Sequence, residues 1–245
     1  DRIGSQILTH YQESIEIAKQ ITEQESRLNS QVVSKIHIPE IARDIIEQIS
    51  FEARESDLID KKSGISARMS ITSLQNLVSS AERRMIINNE KQTSIRMSDF
   101  NSVISSINRK VELVYEGEEE GAEQVSYNLI SDAVKSLFNK YFPKIEKLSK
   151  PDEETPYDSL LEWFTQKQLI IGDNLKNNEY EELLIEIIDA RTIIDKYVKD
   201  LDDNDKFFFI EFILWGLESF NKLSILRTNN GIEFKDPFNN FINKI

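Results

Sequence analysis

Glycine and proline are scarce in this chain, with 7 and 5 in 245 positions. An average domain carries roughly 7% Gly and 5% Pro. Glycine supplies the left-handed backbone that tight turns need, and proline breaks a helix by removing an N–H and clashing with the turn before it. A chain with so few of either cannot make many short strands joined by tight turns. Ile, Leu, Glu and Lys fill the long stretches between them, and such residues favour helix on their solvent faces and in their cores. No βαβ alternation is visible, so a parallel sheet is not expected. The expected fold class is all-α.

Apolar spacing marks the helices. The first is expected over residues 12–33, with Ile15, Ala18, Ile21 and Leu28 near one face. His37-Ile38-Pro39 opens a second, because proline suits a first helical position. Its stripe is Ile38, Ile41, Ala42, Ile45, Ile46 and Ile49, and it ends before Ser63-Gly64. A third runs over about 70–88, and a fourth, capped by Ser98 or Asp99, carries Phe100, Val103, Ile104, Ile107, Val111 and Val114. A fifth spans 122–141 and stops at Pro143. Further helices are expected over 157–171, 179–200 and 205–224, with an irregular tail from Gly231 pinned by Phe234, Phe238 and Phe241. The 205–224 segment is apolar on nearly every face, which marks a helix buried at the centre of its own domain or at a subunit interface. Two prolines and a charge run at Lys150-Pro151-Asp-Glu-Glu-Thr-Pro156 make 147–157 the best internal boundary. The expected division is 1–33, 34–146 and 147–245.

Composition removes several function classes. There is no cysteine, so disulfides and thiolate metal sites are out, and 2 histidines make a His-rich metal site improbable. No metal site is expected. The acidic run Glu116–Glu120 lacks the ligand spacing of a calcium loop. The longest apolar run, Phe207 to Leu217, is broken by Glu211 and is shorter than the ~18 residues a membrane helix takes. No membrane span and a cytoplasmic location are therefore expected. Net charge is −13, and residues 151–205 hold 16 acidic against 5 basic side chains. That segment repels phosphate backbones, so no nucleic acid partner is expected.

No phosphate-cradling glycine loop, Ser/His/Asp pattern or metal cluster occurs in the chain. Two short motifs carry the reading further. Asp1-Arg2-Ile3-Gly4, followed by Thr9-His10-Tyr11, resembles the Leu-Asp-Arg-Phe segment of magnesium-chelatase-like and MoxR-like AAA+ ATPases, with Ile3 at the aromatic position. Ser63-Gly64-Ile65-Ser66-Ala67-Arg68-Met69, running into a helix, resembles the sensor 2 segment of the same family. Gly64 suits a tight turn and Ser66 a helix cap. Ala81-Glu82-Arg83-Arg84, Arg96-Met97-Ser98-Asp99, and Lys110 to Glu118 leading to Gly121-Ala122-Glu123 follow in the order the family shows. The resemblance covers Asp1 to about Pro143.

The resemblance implies an AAA+ lid-type helical bundle followed by a C-terminal helical bundle. It makes Arg2 an arginine finger acting on a neighbour's nucleotide, and Arg68, with Gly64 and Ser66, the sensor 2 group that couples phosphate state to lid angle. A guanidinium suits both roles because it is permanently charged and forked. The chain opens on Asp1 rather than Met and is expected to be the back part of a larger protein. ATP and Mg2+ then belong to that parent, with no cofactor in this part and no ATPase activity of its own. The implied partners are the nucleotide-binding core, a homo-oligomeric ring and an integrin-type (von Willebrand A-like) domain protein. The alternative from another class is a stand-alone acidic helical adaptor that binds a protein through residues 151–205.

Overall fold

The structure is a computed structural model that describes residues 4–5, 8, 10–108, 110–145, 154–228 and 230–237. Arg2, Phe238 and Phe241 lie outside the described residues, as do residues 147–153 of the expected boundary. In chain order the elements are α1 (Ile15–Glu25), α2 (Ser30–Val33), β1 (Ile36–His37), α3 (Glu40–Glu55), α4 (Arg68–Ile87) and β2 (Thr93–Ser94). A 3₁₀ stretch (Met97–Val103) leads into α5 (Ile104–Asn108), α6 (Tyr115–Glu120) and α7 (Ala122–Tyr141). Then come α8 (Asp158–Gln166), β3 (Leu169–Gly172), α9 (Asn177–Ile185), α10 (Ile188–Tyr197), a 3₁₀ turn (Asp203–Asp205), α11 (Lys206–Ser219), β4 (Ser224–Thr228) and β5 (Gly231–Lys235).

The protein is mostly helical, and the helices follow the apolar stripes. In α3 the side chains of Ile41, Ala42, Ile45, Ile46, Ile49 and Ala53 are buried along one face, with Pro39 preceding the first turn. Helix α7 buries Val125, Leu129, Ile130, Ala133, Val134, Leu137 and Phe138. That is too broad for a single stripe, because α3 packs on one side and α11 on the other. Helix α11 buries nearly every side chain from Phe208 to Leu217 within the chain's own core, Glu211 included. No helix among the described residues is long and apolar enough to cross a membrane.

The all-α expectation is corrected by two small sheets. β1 and β2 form a two-residue parallel pair, and β3, β5 and β4 form an antiparallel sheet in that order. The helix expected over 157–171 ends at Gln166, where Lys167 turns extended, and Leu169 and Ile171 then alternate inward as a strand. The tail expected to be irregular from Gly231 is β5, with Ile232 and Phe234 buried. Thr228 pairs with Gly231 across the turn.

Other expected helices are shorter or divided. The first is split where Arg27 adopts φ 48°. The second stops at Glu55, well before Ser63-Gly64. The stretch expected over 98–114, with Ser98 or Asp99 as its cap, instead starts at Met97 after Arg96 as the N-cap and winds as 3₁₀ to Val103, and the Asp99 carboxylate accepts the Arg96 N–H at 2.8 Å. Its end is extended, and Leu113 pairs with Ile59. The helix expected over 179–200 breaks at Ile187, a fully buried residue with ψ 70° and no Gly or Pro beside it.

Candidate functional site

The loop between α3 and α4 carries the Gly64 turn, and two segments distant in sequence hold it. From the N-terminal side, the Tyr11 hydroxyl accepts the Ile65 N–H at 2.9 Å. Gly64 has φ 69°, and a Cβ there would lie 2.6 Å from that hydroxyl. Glycine is favoured here by the left-handed backbone, and its missing Cβ leaves the space the Tyr11 hydroxyl fills. From the C-terminal side, Ser63 donates to the Glu112 carboxylate, and the Asp60 N–H donates to the Glu112 carbonyl at 2.8 Å. Gly117 lies against the Leu58 carbonyl so closely that a Cβ would sit 2.4 Å from the oxygen. The Tyr-Glu-Gly-Glu stretch thus braces the loop, and its glycine is what lets α6 close down on it. The acidic run Glu116–Glu120 forms most of that helix.

Arg54, in the last turn of α3, is the third element of the site. Its guanidinium lies 4.3 Å from the Tyr11 ring centroid and 4.9 Å from that of Phe51, and it donates to Gln12 Oε1 at 2.9 Å. Stacking of this kind suits guanidinium, which is weakly hydrated and planar. Burial lowers the Arg54 pKa from its ordinary value, while the neighbouring Tyr11 and Glu47 hold it up. Tyr11, Arg54, Asp60, Lys61, Gly64 and Ile65 line a groove of about 520 Å³.

Of the site residues expected from the sequence, Gly64, Ser66 and Arg68 lie together in this turn. Ser66 Oγ accepts the Arg68 N–H at 3.2 Å, while the N-cap position of α4 is Ala67, which makes no side-chain cap bond, so Ser66 is not at the cap position expected for it. Arg68 begins α4 and is exposed, and its guanidinium has no hydrogen-bond or ion-pair partner among the described residues. Tyr11 and Arg54 were not expected at the site. Periodicity offered no signal for them, because the contacts that bring them together join residues about forty or more positions apart.

Arg84 and Arg96, from two of the other motifs, hold the core together. Arg84 and Asp99 form a buried ion pair, Arg84 also donates to the Ser94 carbonyl at 2.7 Å, and Ser80 donates to Asp99 at 2.9 Å. Arg96 stacks on Tyr180 at 4.0 Å and donates to the Leu175 carbonyl at 3.0 Å. Tyr180 in turn donates to Glu211 Oε2 at 2.7 Å, and the Met97 N–H reaches the same oxygen at 3.1 Å. This network fixes α4, the 3₁₀ stretch, α9 and α11 to one another. Buried charges tolerate such positions only when paired and bonded.

Comparison of the chain with protein-family models, with curated proteins and with solved structures finds no match.

Proposed function

We propose that this chain is the lid and C-terminal helical region of a magnesium-chelatase-like AAA+ ATPase, and that Arg68 is its sensor 2 arginine. One observation carries the reading: two motif segments far from it in sequence converge on the loop that ends in Arg68. Tyr11 holds Ile65 from one side, and Glu112 and Gly117 hold residues 58–63 from the other. Behind them α4 is anchored by the buried Arg84–Asp99 pair. A cation on so well-braced a turn, exposed and unpaired among the described residues, is available to a ligand from outside the chain.

In this reading the nucleotide-binding core supplies ATP and Mg2+, and the Arg68 guanidinium neutralises charge on the transferring phosphate. Loss of that phosphate removes Arg68's partner, and the lid turns as a body because its loop and helix are locked together. The motion is passed to a protein client. Arg2 is the finger that acts across the ring seam. The chain has no Gly-rich Lys-Ser/Thr loop, so alone it does not turn over ATP.

The test is Arg68→Ala in the ATPase that carries this chain. Turnover is expected to fall by ~10³, the scale of an arginine aimed at a transferring phosphate. The thermal midpoint should hold, since an exposed charge contributes little to stability. A collapse of the midpoint with turnover per folded molecule intact would make Arg68 structural and leave the acidic adaptor as the surviving reading.

A further inference from the structure

Tyr11 is placed between the two arginine motifs. It closes the segment that opens with Asp1-Arg2-Ile3-Gly4, and its hydroxyl ends on the Ile65 N–H at 2.9 Å, in the turn that leads to Arg68. The contact is built from both sides. Gly64 leaves the space that the hydroxyl fills, and Arg54 covers the ring from 4.3 Å while holding the next residue, Gln12, through its side chain. Ile65 is itself buried, and the hydroxyl of Ser66, the residue after it, accepts the N–H of Arg68. A displacement of the Tyr11 hydroxyl therefore bears on the turn and, through the Ser66–Arg68 bond, on the start of α4. Yet the ring is half exposed, an unusual position for a residue whose only task is core packing.

We propose that Tyr11 is a positioning residue for Arg68, coupling the segment that follows Arg2 to the turn that aims the sensor arginine. This rests on the lid reading above. Tyr11 touches no reacting atom; it fixes where the Arg68 guanidinium stands when the phosphate departs. Losing the hydroxyl leaves nucleotide affinity in place and lowers the rate of the chemical step, because a misplacement of ~1 Å can cost up to ~10² in rate.

The experiment uses the full ATPase with four variants: Tyr11→Phe, Gly64→Ala, Arg68→Ala and the Tyr11→Phe/Arg68→Ala pair. Tyr11→Phe keeps the ring and its stacking on Arg54 and removes one hydroxyl. It is expected to lower kcat roughly tenfold at an unchanged KM for ATP, with the thermal midpoint shifted by at most a few degrees. Gly64→Ala, whose Cβ takes the hydroxyl's place, should reproduce the kcat loss. The double variant should be no slower than Arg68→Ala, because a residue acting through another adds nothing once that other is gone.

Wild-type kcat in Tyr11→Phe, or a double variant slower by the full product of the two losses, overturns the inference. So does a kcat loss that disappears when rates are expressed per folded molecule. If Arg68→Ala itself is silent, the lid reading falls and this inference with it. If Arg68→Ala is severe and Tyr11→Phe silent, only the positioning role falls.

Discussion

Glu211 sits on the most apolar helix of the molecule, fully buried among Phe208, Phe209, Phe212 and Ile213. Burial pushes its carboxyl up from 4.5 to about 7, aided by the nearby Asp99 and opposed by the Tyr180 hydroxyl and Arg96. Its Oε1 and the Trp215 Nε1 one turn on meet no hydrogen-bond geometry among the described residues, although the indole still draws the carboxylate slightly down. The raised pKa means that the folded state holds a proton the unfolded chain gives up. Stability is therefore full below about pH 4.5, falls as pH rises toward 7, and levels off above it. The shift corresponds to on the order of 3 kcal/mol at the plateau. Glu211→Gln keeps an oxygen for Tyr180 and Met97 and removes the titration. Its thermal midpoint should fall less than the wild type's between about pH 5 and pH 8. Some slope should remain, since burial also raises Glu47 and Glu218. Parallel midpoint curves for the two proteins would show that Glu211 is not the group responsible. At this scale the sequence exposed what depends on local spacing, namely the Gly64 turn and Glu211 as a break in an apolar run. It hid what depends on long-range contact: that Tyr11 and Arg54 join the turn, and that Arg84, Arg96 and Asp99 serve the core.

Helix α11 packs against α7 at a glycine. A Cβ on Gly216 would lie 2.1 Å from the Phe138 ring, which is itself fully buried. That ring is also surrounded by others, with centroids of Phe142 at 5.0 Å, Tyr157 at 5.8 Å, Phe212 at 6.0 Å and Phe220 at 5.8 Å. It has nowhere to move, so an added methyl must push the helices apart. Overpacking of this kind costs ~1–3 kcal/mol, and for a chain of this size each kcal/mol lowers the midpoint by ~2–4 °C. Gly216→Ala should be destabilised on that scale, and Phe138→Leu in the same background should restore part of the loss by vacating the ring's volume. A Gly216→Ala protein as stable as the wild type would mean that α7 and α11 are not held this closely. The elements legible in the sequence were those whose burial follows a helical stripe, such as α3, α4 and α7. The strands were not, since β3 and β4 are short apolar runs that periodicity alone does not separate from helix ends. Nor was the break at Ile187, which tertiary burial imposes without any local breaker.

The buried apolar side chains form one continuous cluster from Ile36 to Phe234. Helix α7 is its spine, shared between α3 and α11. Polar bonds cross between the same two parts of the chain. Asn177 takes part in four of them, donating its N–H to Glu90 at 2.7 Å and its side-chain amide to the Gln92 carbonyl at 2.9 Å, and accepting from Thr93 at 2.8 Å and from Arg96 at 3.2 Å. Asn88 donates to the Asn174 carbonyl at 3.0 Å, and the Met97 N–H to Glu211. Separating residues 154–235 from residues 36–142 would thus expose the aromatic faces of α7 and α11 and leave Arg96, Met97 and Glu211 without their partners. Such a cost ties the two parts into one cooperative unit, because neither has a complete core without the other. Calorimetry should show a single unfolding transition with the calorimetric and van't Hoff enthalpies equal. A chain cut after residue 145 should lose cooperative unfolding and bind a hydrophobic dye. Two resolved transitions, or a cut chain that unfolds sharply at a midpoint near the parent's, would mean that the parts fold separately. A single unit also bears on the proposed mechanism. A turn at Arg68 would be carried through α4 and the Arg84–Asp99 pair to α9 and α11, so the acidic face of residues 154–205 would move with the lid.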